Sequence, residues 1–415
     1  MHRRIAGNVL WMLAERGLQV GIGIGVVAML ARALGPAGFA HFQYAQSVVL
    51  IAASLALVCG AEVVVPRLVA TPPDAQGHII GHAFVLRLGG GVAGYLLMCA
   101  YLVLTSPTPE VWHAALWLGV AILLREPFGV VNAWMQAHTN NRPGTLASLA
   151  ALSIKAAVVG GLFAAGVTAV SGYAVAFALE AVLLATLLAA YYLTRSPRQP
   201  LTWQASQARE LFSAGALFWV SFILMMGARR VDQLVLQPAV PAADFGAYAA
   251  CMQLLDNFSM LATILVAGIA PSYVYARTAF ADAHANIGRI AAALGALGLV
   301  GGLAIAACAP WIVRLLYGSA FEATVTLLRV AAVASALVFA DVALTLLAVY
   351  LRRPRWVAMK WALVLATTLA FDLAVIPRFG NWGAIAGYVL GNSVAVVVGV
   401  ALWWRNRPVR DMAAA

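Results

Sequence analysis

The sequence predicts an all-α integral membrane protein with about twelve transmembrane helices in two lobes of six. Of the 415 residues, 63% are hydrophobic and only 10% are charged, whereas soluble chains carry about 25% charged residues. Apolar runs of about 20 residues, the length needed to cross ~30 Å of hydrocarbon, recur from end to end. The second half also repeats features of the first half in the same order. These three observations together predict a duplicated, polytopic membrane protein.

Twelve apolar runs account for the chain in order, and most are joined by short connections that contain Pro, Gly or Asn, as helix ends usually do. The predicted spans are 5–33, 42–70, 79–104, 111–137, 145–168, 170–193, 210–236, 245–276, 287–316, 322–351, 356–376 and 382–404. The longest connection is rich in proline and arginine, and it divides the chain into three parts. These are an N-terminal lobe (1–194), a cytoplasmic link (195–209) and a C-terminal lobe (210–415).

Matching segments indicate the duplication. The pairs are Leu123-Leu124-Arg125 with Leu327-Leu328-Arg329, Arg142-Pro143 with Arg353-Pro354, and Ser171-Gly172-Tyr173 with Ala386-Gly387-Tyr388. Each match is short, but their shared order along the chain favours a common origin. With six helices per repeat, the two copies keep the same orientation and are related by an axis along the membrane normal.

The basic residues set the orientation. If the N-terminus is cytoplasmic, the outside loops hold only Arg32, Arg314 and Arg378, and the other loop cations lie inside. The positive-inside rule therefore predicts that both termini are cytoplasmic. This distribution also explains the net charge of +11 without nucleic acid as a partner, because no basic face interleaved with aromatic residues is present. The segment after Arg3-Arg4 has no convincing cleavage site, so we interpret it as a retained first span.

The sequence lacks the motifs that several classes of protein require. There is no phosphate-binding GxxxxGK[ST] sequence, no nucleophile grouping and no metal-ligand spacing of histidines. We therefore expect neither an enzyme nor a bound metal or cofactor. The four cysteines lie in apolar segments and are predicted to be free thiols.

Charged residues inside the spans need a reason to be there, because each costs ~2.5–3.5 kcal/mol at mid-bilayer on insertion scales. By the helical rise, Arg16, Arg125, Lys155 and Glu180 lie near the midplane. By contrast, Arg229, Arg230 and Asp372 lie nearer the outer interface and could extend to water.

Two interpretations of these charges remain open. They could form ion pairs between neighbouring helices, and a shared packing role is favoured for Arg125 and Arg329 because they occupy matching repeat positions. Alternatively, Arg16, Arg87 and Lys155 could face a water-filled cavity between the lobes and hold an anionic substrate.

The sequence resembles polysaccharide flippases of the O-antigen type, in the multidrug/oligosaccharidyl-lipid/polysaccharide (MOP) exporter superfamily, over nearly its whole length. The resemblance rests on Asn8-Val9-Leu10-Trp11, Ala31–Pro36 followed by Phe39, Asp232–Tyr248, Leu316–Phe321 and Asn381-Trp382-Gly383-Ala384. Phe39-Ala40 departs from the usual Phe-Gly of the family. The chain is also short for the family, so helices beyond twelve are not expected.

The resemblance implies a transporter that moves undecaprenyl-diphosphate-linked oligosaccharide from the inner to the outer leaflet of the bacterial plasma membrane. Two lobes would form a V around a central cavity that opens alternately to each side, driven by an ion or proton gradient. Arg16, Arg87 and Lys155 would bind the diphosphate, since guanidinium groups suit phosphate oxygens. Glu15, Glu62 and Asp256 are the candidate coupling carboxylates. The expected partners are membrane lipid, a polysaccharide polymerase and a chain-length regulator, and a monomer is expected.

Three alternatives make different demands on the sequence. A drug/cation antiporter of the same superfamily would prefer an acidic cavity, against which the many intramembrane cations argue. A membrane-embedded polysaccharide polymerase, the enzyme alternative, would usually carry a large external loop, and every outside loop here is short. A major-facilitator sugar porter would normally have a charged Gly/Asp/Arg loop after the second span, which residues 69–78 lack.

The predicted topology can be tested by labelling single cysteines in intact cells. Cysteines placed in Ser106–Glu110 and Pro238–Asp244 should react with an impermeant reagent from outside, and those in Ser196–Arg209 only after the cells are opened. Labelling of the central link from the outer face would contradict both the span count and the orientation.

Overall fold

The structure is all helical, as the sequence predicts. This computed structural model describes the backbone of residues 2–196 and 203–408, and the side chains of residues 17–196 and 203–408. Within those residues no strand occurs, and eleven helical runs are long and apolar enough to cross a membrane. The chain is therefore a multi-pass membrane protein. Residues 197–202 of the predicted link lie outside the described residues.

The chain forms two compact units, Met1–Trp219 and Val220–Ala415. The helices of the first are α1 (His2–Ala53), α2 (Ala61–Val69), α3 (Gln76–Thr105), α4 (Pro109–Phe128), α5 (Val130–Ala137), α6 (Arg142–Ala164) and α7 (Val170–Arg195). Helix α8 (Ala205–Leu236) contains the division between the units. The helices that follow are α9 (Ala242–Ala270), α10 (Phe280–Leu316), α11 (Ala323–Ala331), α12 (Ser335–Tyr350), α13 (Pro354–Phe379) and α14 (Asn381–Arg405). The predicted lobe boundary at 195–209 stays a prediction.

The first helical run supplies two crossings. The described part of it, Gly17–Val69, has 53 residues, and a helix of that length would span about 80 Å at 1.5 Å per residue. Gly35 interrupts the run with φ 62° and ψ 178°, a conformation that glycine adopts without steric cost. Pro36 follows and has no N–H to continue the ladder. Counting this run twice gives twelve crossings in the described part, which agrees with the predicted fold class.

The fourth span of each half is built from two helices. In the first half α4 gives way to α5 next to Pro127, and in the second half α11 gives way to α12 through a short 3₁₀ turn. Arg125 and Arg329 both lie in the last turn of the helix that precedes the break. A break at the same point of two long apolar spans supports the duplication inferred from the sequence.

Glycines bring the third span of each half into backbone contact with a neighbour. On α3, a Cβ atom at Gly94 would overlap the carbonyl oxygen of Ala52. On α10, a Cβ atom at Gly302 would overlap the carbonyl oxygen of Ala332. Small residues are the usual means of close helix packing in membranes, where lipid and side chains are equally apolar.

Each unit has its own apolar core. In the first unit, Leu68, Trp134 and Leu188 join α2, α5 and α7. In the second unit, Ile287 and Phe339 join α10 and α12. The four cysteines are all free, as predicted.

A pair of glycine variants on α3 tests the packing. Gly94→Ala should lower the thermal unfolding midpoint in detergent, since overpacking typically costs about 1–3 kcal/mol. Gly89→Ala is the matched control, because a Cβ atom there meets nothing within 4 Å and alanine is the better helix former. An unchanged or higher midpoint for Gly94→Ala would contradict the close contact.

Candidate functional site

Arg87 is buried against backbone carbonyl groups. Only 5% of this residue is exposed. Its Nε donates to the carbonyl oxygen of Val58 at 3.2 Å, its Nη2 to that of Cys59 at 2.8 Å, and its Nη1 to that of Glu126 at 3.1 Å. Val58 and Cys59 lie between the 3₁₀ turn at Ser54–Leu57 and α2, where the helix is interrupted.

These contacts indicate a structural role for Arg87. Where a helix is interrupted, its carbonyl groups lose their intrahelical donors, and hydrocarbon supplies none. The guanidinium group replaces them at two breaks, one before α2 and one beside Pro127 in α4. The contact of Arg87 with substrate stays a prediction.

Lys155 forms a buried ion pair. Its Nζ lies 2.7 Å from Oε2 of Glu180, and the two side chains are 9% and 12% exposed. The same ammonium group lies 4.4 Å from the ring centroid of Phe177, which is a cation–π distance. The pair joins the middle of α6 to the middle of α7, so the ion-pair interpretation of the intramembrane charges applies to Lys155.

Arg125 is the exposed cation of this region. It lies near the middle of the span Pro109–Ala137, its side chain is exposed, and it forms no ion pair among the described residues. It also acts electrostatically on Lys155. An exposed charge at this depth is expensive in hydrocarbon and is expected to face water or a polar ligand.

The other predicted site residues are dispersed. The side chains of Glu15 and Arg16 lie outside the described residues. Glu62 is exposed in the first turn of α2, where the helix dipole favours an acid. Asp256 pairs with Arg230, with Oδ2 2.7 Å from Nη2. Within the first unit, Glu62 acts electrostatically on Arg87, whereas Lys155 pairs with Glu180, and the roles of all the predicted residues stay predictions.

Two acids of the second unit are buried more deeply. Asp232 on α8 is 6% exposed and accepts a very short hydrogen bond from the hydroxyl group of Tyr248 on α9. Its other carboxylate oxygen has no partner in the described part of the chain. The second acid is Asp372 on α13, and the negative charge of Asp232 acts electrostatically on its carboxylate.

Asp372 corrects one expectation. The sequence suggests that this carboxylate extends to the outer interface, but it is fully buried within the second unit. Neither of its oxygens has a hydrogen-bond partner among the described residues. A Cβ atom on Gly387 of α14 would overlap Oδ1, so the carboxylate fills space that a side chain on α14 would otherwise occupy. Sequence reasoning missed this pairing because the two positions lie on different helices.

Two independent comparisons connect this geometry to known proteins. Residues 29–326, more than half of the chain, match the family described as "Polysaccharide biosynthesis protein". The chain belongs to that family. A comparison with curated protein sequences finds no match.

Solved structures of MOP transporters share the fold. A multidrug resistance MATE family transporter of the MOP superfamily, in an inward-facing conformation, is 14% identical with a TM-score of 0.74, over 96% of each chain. The lipid II flippase MurJ, inward closed, is 9% identical with a TM-score of 0.75, over 95% of this chain and 87% of its own. A MOP superfamily transporter from Pyrococcus furiosus is 14% identical with a TM-score of 0.64, over 94% of each. The family match confirms the polysaccharide biosynthesis family that the sequence resemblance implies, and the solved structures confirm the expected fold.

Variants that remove the charges of the Lys155–Glu180 pair distinguish a packing role from substrate binding. Lys155→Met should strand Glu180 and lower membrane abundance, because breaking a buried pair typically costs about 3–5 kcal/mol. The double variant Lys155→Met/Glu180→Gln should restore abundance, and Arg125→Gln should leave it unchanged because Arg125 has no buried partner. Normal abundance of Lys155→Met alone would contradict a structural pair.

Proposed function

We propose that this protein moves an undecaprenyl-diphosphate-linked oligosaccharide from the inner to the outer leaflet of the bacterial plasma membrane. The product would serve the synthesis of a surface polysaccharide. Membership of the polysaccharide biosynthesis family supports the pathway, and the fold shared with transporters supports movement rather than bond making.

One observation carries the proposal. Arg125 places an exposed guanidinium group at mid-span, next to the buried Lys155–Glu180 pair. A diphosphate needs cationic partners to leave water, and guanidinium groups donate two parallel hydrogen bonds to phosphate oxygens. Arg125 is therefore proposed as the headgroup contact, with Arg16 as a second candidate, whereas Lys155 remains a candidate that is already paired with Glu180. Arg87 also remains a candidate, although its guanidinium group already donates hydrogen bonds to backbone carbonyl groups.

We place coupling to an ion or proton gradient at the buried acids of the second unit. Asp232 and Asp372 are both enclosed, and both keep a carboxylate oxygen that has no hydrogen-bond partner among the described residues. A carboxylate without a partner is costly to bury, so this arrangement favours the uptake of a proton or a cation. Glu15, Glu62 and Asp256 remain candidates, although Asp256 already pairs with Arg230.

The proposed cellular setting follows from the loop charges. The N- and C-termini are placed in the cytoplasm, where lipid-linked substrates would be loaded. A polysaccharide polymerase and a chain-length regulator are the proposed partners, and the protein is proposed to act as a monomer.

A flipping assay in proteoliposomes tests the substrate. A fluorescent lipid-linked oligosaccharide diphosphate should cross in vesicles that contain the wild-type protein. Arg125→Gln should slow it about tenfold or more, the effect of losing one charge-assisted contact. Arg125→Lys should slow flipping less, because lysine keeps the positive charge but lacks the paired N–H donors of the guanidinium group. Arg378→Gln, which removes an exposed arginine at the end of α13, is the matched control.

The same vesicles distinguish the alternatives. Transport of cationic dyes without transport of the lipid-linked substrate would favour the drug/cation antiporter, and normal flipping by Arg125→Gln would contradict the proposed headgroup site.

Asp372→Asn should make the flipping rate independent of an imposed pH or sodium gradient, whereas Asp282→Asn, at an exposed acid on α10, should keep the dependence. An unchanged gradient response of Asp372→Asn would contradict coupling there.

A further inference from the structure

A cavity opens at the end of the first unit where the chain leaves α7. Its volume is about 290 Å³, roughly twice the ~150 Å³ of an engineered cavity that takes up benzene. Residues of α3, α4, α5 and α7 line it, and Trp203, at the start of the segment that leads into α8, completes the wall.

The described lining of this cavity is apolar. It includes Phe84, Val130 and Leu193, and no Asp, Glu, Lys or Arg is among the described residues that line it. The polar atoms belong to His78 and His82 on α3, to Tyr192 and to the indole of Trp203. Apolar surface favours a hydrocarbon occupant over water, and it offers few hydrogen-bond partners to a phosphate group.

The cavity is continuous with the lipid-facing surface. Three of its lining side chains are largely exposed: Val85 at 47%, Leu193 at 72% and Trp203 at 54%. Val85 and Leu193 lie on transmembrane helices, where exposed apolar side chains meet lipid. A hydrocarbon chain can therefore enter from the bilayer while its headgroup stays outside.

The wall formed by Trp203 is fixed by His82. The indole stacks on the imidazole with ring centroids 5.0 Å apart, and the backbone N–H of Gln204 donates to Nε2 of His82 at 2.9 Å. Because Nε2 accepts, the ring proton lies on Nδ1, which donates to the carbonyl oxygen of His78 at 2.6 Å. Both ring nitrogens are thus engaged, and the segment is held as one side of the cavity.

We propose that this cavity binds one acyl chain of a bilayer phospholipid. The absence of Asp, Glu, Lys and Arg among the described lining residues argues against a headgroup site and so against the diphosphate of the transported substrate. Phospholipid is in large excess over any lipid-linked intermediate, so mass action also favours it. The bound acyl chain packs against Trp203 and so helps to hold the segment that leads into α8.

Photo-crosslinking tests the proposal on the full-length protein in proteoliposomes. A phosphatidylcholine with a diazirine midway along one acyl chain is activated, and the labelled peptides are mapped by mass spectrometry. Labels should concentrate on the peptides that contain Phe84, Val130 and Leu193. Ala189→Phe fills the cavity and should reduce this labelling about tenfold, the effect of two lost methylene contacts. Ala190→Phe is the matched control, because Ala190 lies next along α7, outside the cavity lining, and points about 100° away.

The outcomes are distinct. Labelling that is spread evenly over lipid-facing peptides, or unaffected by Ala189→Phe, overturns the site. Displacement of the label by equimolar undecaprenyl phosphate, but not by excess phospholipid, assigns the cavity to the isoprenoid chain and overturns the proposal. If Ala189→Phe is not monodisperse in detergent, Leu193→Gln replaces it. Leu193→Gln places a polar side chain at the opening of the cavity and should lower the labelling. Leu187→Gln, which changes an exposed leucine of the same helix, is its control, and equal labelling of the two variants overturns the site.

Discussion

Backbone hydrogen bonding in hydrocarbon is the constraint on which the rest of this structure depends. An uninterrupted helix satisfies its own carbonyl and N–H groups, but this chain interrupts several of its spans. Each interruption exposes carbonyl groups that lipid cannot satisfy. Arg87 meets this demand at two interruptions with one guanidinium group. A residue that looks like an anion-binding cation in the sequence thereby binds carbonyl groups of the polypeptide itself.

The remaining intramembrane charges divide by unit. In the first unit the buried cation Lys155 has an acid beside it, and an exposed cation lies nearby. In the second unit Arg230 pairs with Asp256 and Lys360 pairs with Asp341. Among the described residues, Asp232 and Asp372 keep carboxylate oxygens without a hydrogen-bond partner. This division suits a protein that would contact an anionic headgroup with one unit and take up a small cation with the other.

The fold could be predicted from the sequence because hydrophobic length and loop charge are local properties. The spans predicted from residues 42–70 and 111–137 match helical runs, although the predictions missed the breaks inside them. Arg87 and Asp372 could not be assigned, because their surroundings come from residues distant in the sequence. The carbonyls bound by Arg87 belong to positions 58, 59 and 126, and the space around Asp372 depends on Gly387. Intramembrane charge is visible in a sequence, but its partner is not.

The turn at Gly35 and Pro36 affects where a protease can cut this protein and where an experimental tag can be inserted. Two crossings are joined there by a change of backbone direction, with no polar loop between them. Cleavage and insertion succeed at exposed loop tips, and the chain around this turn is partly buried, with Ala31 and Phe39 fully enclosed on either side. The turn therefore presents little exposed chain to a protease or an inserted epitope, with Arg32 and Ala37 as its exposed residues. Limited proteolysis of the intact protein should leave the first two crossings joined in one fragment.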